Sequence, residues 1–128
     1  MNVHLRIARP TNNIQAIPPF YCEGLGFTVL GHFENHDGFD GLMLGHPGLC
    51  YHLEFTHEHG TIVPPAPTDE HLLVFYLPQK DEWQAAVDKL IRLGHQPVPA
   101  HNPYWNKKGR TFVDPDGYHI ILQNAAGW

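Results

Sequence analysis

His4-Leu5-Arg6-Ile7-Ala8-Arg9 alternates polar and apolar residues, and 67 residues further on His71-Leu72-Leu73-Val74-Phe75-Tyr76-Leu77 opens an apolar run. Both read as strands. The same spacing recurs later. Leu49-Cys50-Tyr51-His52-Leu53-Glu54-Phe55-Thr56 contains Glu54, and 67 residues after it Ile121 lies in Tyr118-His119-Ile120-Ile121-Leu122-Gln123. Each half also has a helix candidate ending in Leu-Gly, Leu25-Gly26 and Leu93-Gly94, 68 residues apart. A shared offset at three landmarks is the mark of a duplicated unit.

Each unit reads as strand, helix and three strands. The first has strands over about 3–9, 27–34, 39–46 and 49–57, with turns at Asp37-Gly38 and Pro47-Gly48. Pro18-Pro19 interrupts the helical spacing of Ile14, Ile17, Tyr21 and Leu25, so a turn at 12–16 and a short helix from about 17 to 25 are expected. The second has strands over about 71–77, 96–100, 109–114 and 118–124, and Asp114-Pro115-Asp116-Gly117 is a hairpin signal. Its helix begins near Asp81 and Glu82, carries Trp83, Val87, Leu90 and Ile91 as one apolar stripe, and ends at Gly94. The stretch 58–69, with Pro64-Pro65 and Pro67, has no periodicity and reads as a linker between a module at about 3–57 and one at about 70–124. The expected fold class is α+β, built from two βαβββ modules.

A chain of 128 residues with 42% hydrophobic and 16% charged residues is one domain with one core's worth of apolar material. No apolar run reaches the length of a membrane span, and Met1-Asn2-Val3-His4-Leu5-Arg6 has no secretory apolar region, so no membrane association and a cytoplasmic location are expected. Eight Lys+Arg against 13 Asp+Glu, with no basic cluster, argue against nucleic acid as a partner. Cys22 and Cys50 form neither a disulfide framework nor a C-x-x-C motif. Histidine is abundant, 11 residues whose full protonation carries the formal charge from −5 to +6, so solubility should respond to pH near 6. That abundance also raises the prospect of a metal site.

Several of these elements together resemble the vicinal oxygen chelate superfamily of glyoxalase I, bleomycin- and fosfomycin-resistance proteins and extradiol dioxygenases. The resemblance is carried by His4-Leu5-Arg6-Ile7, Phe20-Tyr21 with Gly24-Leu25-Gly26-Phe27, Leu53-Glu54-Phe55-Thr56, His71-Leu72 and Asp114-Pro115-Asp116-Gly117-Tyr118, in the family's order over nearly the whole chain. It implies curled mixed sheets around a half-open barrel, a ligand or metal site inside, and a homodimer. It maps the family's metal positions onto His4, Glu54, His71 and residue 121. The last is Ile121, which neither coordinates metal nor takes a proton. What remains is a two-histidine, one-carboxylate set with open positions, suited to zinc, nickel, manganese or iron.

Two readings of these residues stand open. In one, a divalent ion on His4, Glu54 and His71 holds two adjacent oxygens of a small organic substrate as a Lewis acid, and Glu54 is the candidate catalytic base of a lyase, isomerase or dioxygenase. In the other, Arg6 shares the strand face of His4 and pairs with Glu54, and the protein is a metal-free binder of a small molecule or drug. His52, two residues from Glu54, faces the same pocket. Tyr104 and Trp105, in the loop His101-Asn102-Pro103-Tyr104-Trp105-Asn106, are expected to pack over an edge or to cover a planar ligand, with Asn102 and Arg110 as polar anchors. His57-Glu58-His59 is not H-E-x-x-H and reads as solvated loop. His52-x-Glu54 lacks the P-C-x-x-C of zinc deaminases.

Overall fold

The computed structural model describes residues 2–128. Met1, where the stretch read for a leader begins, lies outside them. The chain divides into two compact units, Met1–Val63 and Pro64–Trp128.

The first unit is a four-stranded mixed sheet: β1 (Leu5–Pro10), β2 (Thr28–His36), β3 (Phe39–Gly45) and β4 (Tyr51–Glu58), in the order β1-β4-β3-β2. β1 runs parallel to β4 and the remaining pairs are antiparallel. Asp37 (φ 52°) and Gly38 (φ 85°) turn β2 into β3 with both central residues left-handed, the geometry that matches strand twist. The diprolyl segment behaves as its chemistry requires. Asn13 Oδ1 accepts from Gln15 N at 3.1 Å, capping a 3-10 turn at Ile14–Ala16. Beyond it Pro19–Gly24 forms a π-helical turn, whose last carbonyls are met by Leu25 N on Phe20 O (3.0 Å) and Gly26 N on Cys22 O (2.9 Å). This segment buries Ile17, Phe20 and Tyr21 against Leu42, Leu44, Leu53 and Phe55, all of them core residues. Tyr21 meets Phe55 with ring centroids 5.0 Å apart.

Strand parity therefore commits one face of the sheet to the core. The other face carries His52, Glu54 and Thr56 of β4, Met43 and Gly45 of β3, and Arg6 and Ala8 of β1.

The second unit has β5 (Leu72–Tyr76), α1 (Lys80–Arg92), β6 (Gly109–Val113) and β7 (His119–Gln123), with sheet order β5-β7-β6 and β5 parallel to β7. Val87 and Leu90 of α1 are buried, while Ile91, expected in the same stripe, is 38% exposed. The expected strand at 96–100 is reduced to a single bridge, Val98 to Thr111. Pro97 and Pro99 hold φ near −65°, away from the roughly −140° of an antiparallel strand. Ala100 N donates to Asn106 Oδ1 (3.0 Å) and not to β6. The Asp-Pro-Asp-Gly turn forms as read: buried Asp114 accepts from Asp116 N and Tyr118 N, both at 2.9 Å. Two mixed sheets with few helices make the fold α+β. Among the described residues no helix is long and apolar enough to cross a membrane.

Candidate functional site

On the open face of the first sheet, four of the expected site residues form a chain of hydrogen bonds. Arg6 Nη1 donates to Glu54 Oε2 at 3.2 Å, Arg6 Nε donates to His52 Nε2 at 2.8 Å, and His52 Nδ1 lies 2.6 Å from His4 Nε2. An arginine Nε always carries a proton, so His52 Nε2 accepts, and His52 holds its own proton on Nδ1. That proton is donated to His4 Nε2. Each neutral imidazole has one lone pair, and both are used. Burial, followed by the charge of Arg6, lowers the His52 pKa below its ordinary 6.5 against the opposing pull of Glu54.

The β1–β4 register decides which residues meet. Arg6 lies opposite His52 and Ala8 opposite Glu54, so His4 is four residues from the position facing Glu54. At the rise of a strand that is about 13 Å along the sheet. His4 reaches Glu54 only through His52 and Arg6, and the residue placed beside Glu54 is Arg6.

The second unit repeats this arrangement one residue out of step with the sequence offset. Val74 lies opposite Ile121 as Ala8 lies opposite Glu54, so the counterpart of Arg6 is Leu72 and that of His4 is Glu70, not His71. His71 stands just before β5, its Nδ1 sharing a hydrogen bond with Thr68 Oγ1 at 2.8 Å. Ile121 is fully buried.

A divalent ion needs several ligand lone pairs free to converge on it. Here a guanidinium neutralises Glu54, the lone pairs of His4 and His52 are engaged, and Ile121 and Leu72 offer none. Among the described residues no group of three or more His, Cys, Asp or Glu side chains could hold a metal ion. The arrangement does not fit the metal of the family's enzymes.

Beside these, the face carries large apolar side chains. Leu30, in the bulge of β2, lies over Gly45, where a β-carbon would stand 2.9 Å from its Cδ1. Phe33 lies over Gly41, and Met43 faces Glu54 across the ladder. These residues were not read from the sequence as site residues. Their signal is the run of glycines at 31, 41 and 45, which leaves room for large side chains to lie flat.

The other expected anchors lie apart in the second unit. Asn102 caps the short helix Pro103–Asn106 by accepting from Tyr104 N at 3.0 Å. Tyr104 is exposed and meets half-buried Trp105 edge to face, centroids 4.9 Å apart. Arg110 lines a groove with Trp83, Asn106, Lys107 and Lys108. His57 and His59 are structural rather than merely solvated: His57 Nδ1 bonds Thr11 O at 3.0 Å, and His59 Nε2 lies 2.8 Å from Asp40 Oδ1.

Two mixed sheets, each with its parallel outer pair, and an open face bearing the residues beside the family's metal positions define a glyoxalase-fold protein of the vicinal oxygen chelate superfamily. Residues 5–56 match the YycE-like N-terminal domain and residues 70–124 the YycE-like C-terminal domain, and the chain belongs to this YycE-like family. It is 46% identical over 123 residues to protein YycE of Bacillus subtilis, covering 96% of this chain and 88% of that one. The crystal structure of a YycE protein from Bacillus subtilis superposes with a TM-score of 0.92 at 44% identity, over 99% of this chain and 93% of that one. A trypanothione-dependent glyoxalase I of Leishmania major shares the fold at TM-score 0.72 and 20% identity, over 94% and 84%. TnmS3, an antibiotic binding protein from Streptomyces sp. CB03234, shares it at TM-score 0.64 and 24% identity, over 96% and 94%.

Proposed function

We propose that this protein is a metal-free binder of small organic molecules, with Arg6 as the polar anchor of its site. The observation that carries this reading is the Arg6 guanidinium bridging Glu54 and His52. It removes Glu54 as a free base and as a metal ligand. It also leaves further N–H groups on a half-exposed arginine available to a ligand. Beside this donor cluster lie Leu30, Phe33 and Met43. A few convergent polar groups against an apolar floor make a small-molecule site. The ligand this surface suits is partly apolar and carries oxygen acceptors for Arg6. Sharing a fold with an antibiotic binding protein is consistent with that chemistry.

The test has two arms on tag-free protein. Dialysis against zinc, nickel, manganese or iron(II) at about pH 7.5 should leave less than one ion per chain. Thermal-shift and calorimetric titration with hydrophobic oxygen-bearing antibiotics, bleomycin among them, should find a ligand whose affinity falls about tenfold or more in Arg6→Met, the cost of losing a charge-assisted hydrogen bond. One ion per chain, lost in Glu54→Gln, would overturn the proposal in favour of the metal enzyme.

A further inference from the structure

The outer edge of β6 forms a groove of about 550 Å³, within the size range of small-ligand pockets, and lies entirely within the second unit. One wall is Trp83 of α1, whose ring is fixed by Nε1–H donating to Leu122 O at 2.8 Å. Pro97, Val98 and Pro99, the segment that fails to continue as a strand, also line the groove. The rim is Lys107, Lys108 and Arg110.

Three features together point to a ligand. First, three of the chain's eight Lys+Arg residues fall within four positions, on a chain of net charge −5, and among the described residues lining the groove none is acidic. None of the three is in an ion pair among the described residues. Second, the lining joins an aromatic ring to proline and valine surfaces, which favours a flat apolar body. Third, the ladder supplies backbone groups. Lys108 O accepts from Asn124 N on the β7 side and Thr111 O accepts from Val98 N on the outer side. Alternation between them turns the Gly109 N–H and C=O outward, along the groove.

We propose that this groove is a ligand site for a planar aromatic anion, a ring system bearing one carboxylate or phosphate. The ring stacks on Trp83 and the acid group takes Lys107, Lys108 and Arg110. This proposal does not rest on the Arg6 site, which belongs to the other unit.

The test is titration of the ¹⁵N-labelled full chain at low ionic strength with 1-naphthoate, 1-naphthyl phosphate, neutral 1-naphthalenemethanol and inorganic phosphate. Either aromatic anion should shift the Val98 and Gly109 amides and the Trp83 indole N–H, and the tighter of the two identifies the acid group. Lys107→Gln/Lys108→Gln should weaken that binding about tenfold. Arg110→Gln should act alike, and the lysine pair keeps the test decisive if the arginine variant misfolds. Three results would each overturn the proposal: no saturable shift, equal binding of the neutral alcohol, or inorganic phosphate matching the aromatic anions. The last would mean a charged patch without a site.

Discussion

A guanidinium 3.2 Å from one carboxylate and 2.8 Å from an imidazole nitrogen fixes the protonation of its neighbours. With Arg6 on His52 Nε2, His52 is held neutral. The consequence is a pH effect of definite sign. The folded pKa of His52 is lowered below 6.5, so the unfolded chain takes up this proton first as pH falls. The contribution of His52 to stability is full above 6.5 and is lost as pH falls from there through the lowered folded value. Urea denaturation at about pH 7.5 and about pH 5.5 should show a smaller loss of midpoint in His52→Gln than in the parent chain. An equal loss in both would show that the imidazole lone pair is not held by Arg6. The ion pair itself contributes little, because Arg6 is half exposed and screened, so Glu54→Gln should cost no more than about 1 kcal/mol.

At the scale of elements, Gly109 shows how tightly the start of β6 is built. A β-carbon there would stand 2.5 Å from Gln123 Oε1 and 2.5 Å from the Trp105 carbonyl oxygen, the second a backbone atom that cannot rotate away. Gly109→Ala should destabilise by about 1–3 kcal/mol, the usual cost of overpacking. Thermal unfolding checks it, and an unchanged midpoint would mean that the Pro103–Asn106 turn moves freely against β6. Elements whose signals are local were legible in the sequence. Asp37-Gly38 and Asp114-Pro115-Asp116-Gly117 fixed their hairpins, and the spacing of Val87 and Leu90 fixed α1. The register of β1 on β4 was not legible. A tight turn sets the register of an antiparallel pair, whereas β1 and β4 are parallel and joined through two other strands. The resemblance set His4 with Glu54 and His71 with residue 121, whereas the register brings Arg6 to Glu54 and pairs Val74 with Ile121. The strand expected at 96–100 is cut to one bridge because Pro97 and Pro99 flank Val98.

For the whole molecule, the duplication explains both what the sequence revealed and what became of the chemistry. The two units keep the same strand order at their parallel pairs, but Arg6 and Glu54 in one are matched by Leu72 and Ile121 in the other. The polar pair of the first unit thus has a hydrocarbon counterpart in the second, where Ile121 is fully buried. The duplication also leaves strand edges to be covered. β1 and β2 are both edge strands of the first sheet. At the β1 end Val3 (59% exposed), Leu5 (53%) and Leu49 (47%) present apolar side chains, and Leu5 N bonds Cys50 O, bringing the last two segments together. Exposed edges bearing apolar residues are hazards that proteins cover by pairing, and a second copy of the same chain is the commonest cover. The protein is accordingly expected to be a homodimer. Sedimentation equilibrium at tens of micromolar should give twice the 14.5 kDa chain mass, and Leu5→Lys should shift the population toward the single chain without unfolding it, because Leu5 is already half exposed. A single species at 14.5 kDa in the parent chain would reject the dimer and leave the Val3, Leu5 and Leu49 surface open to another partner.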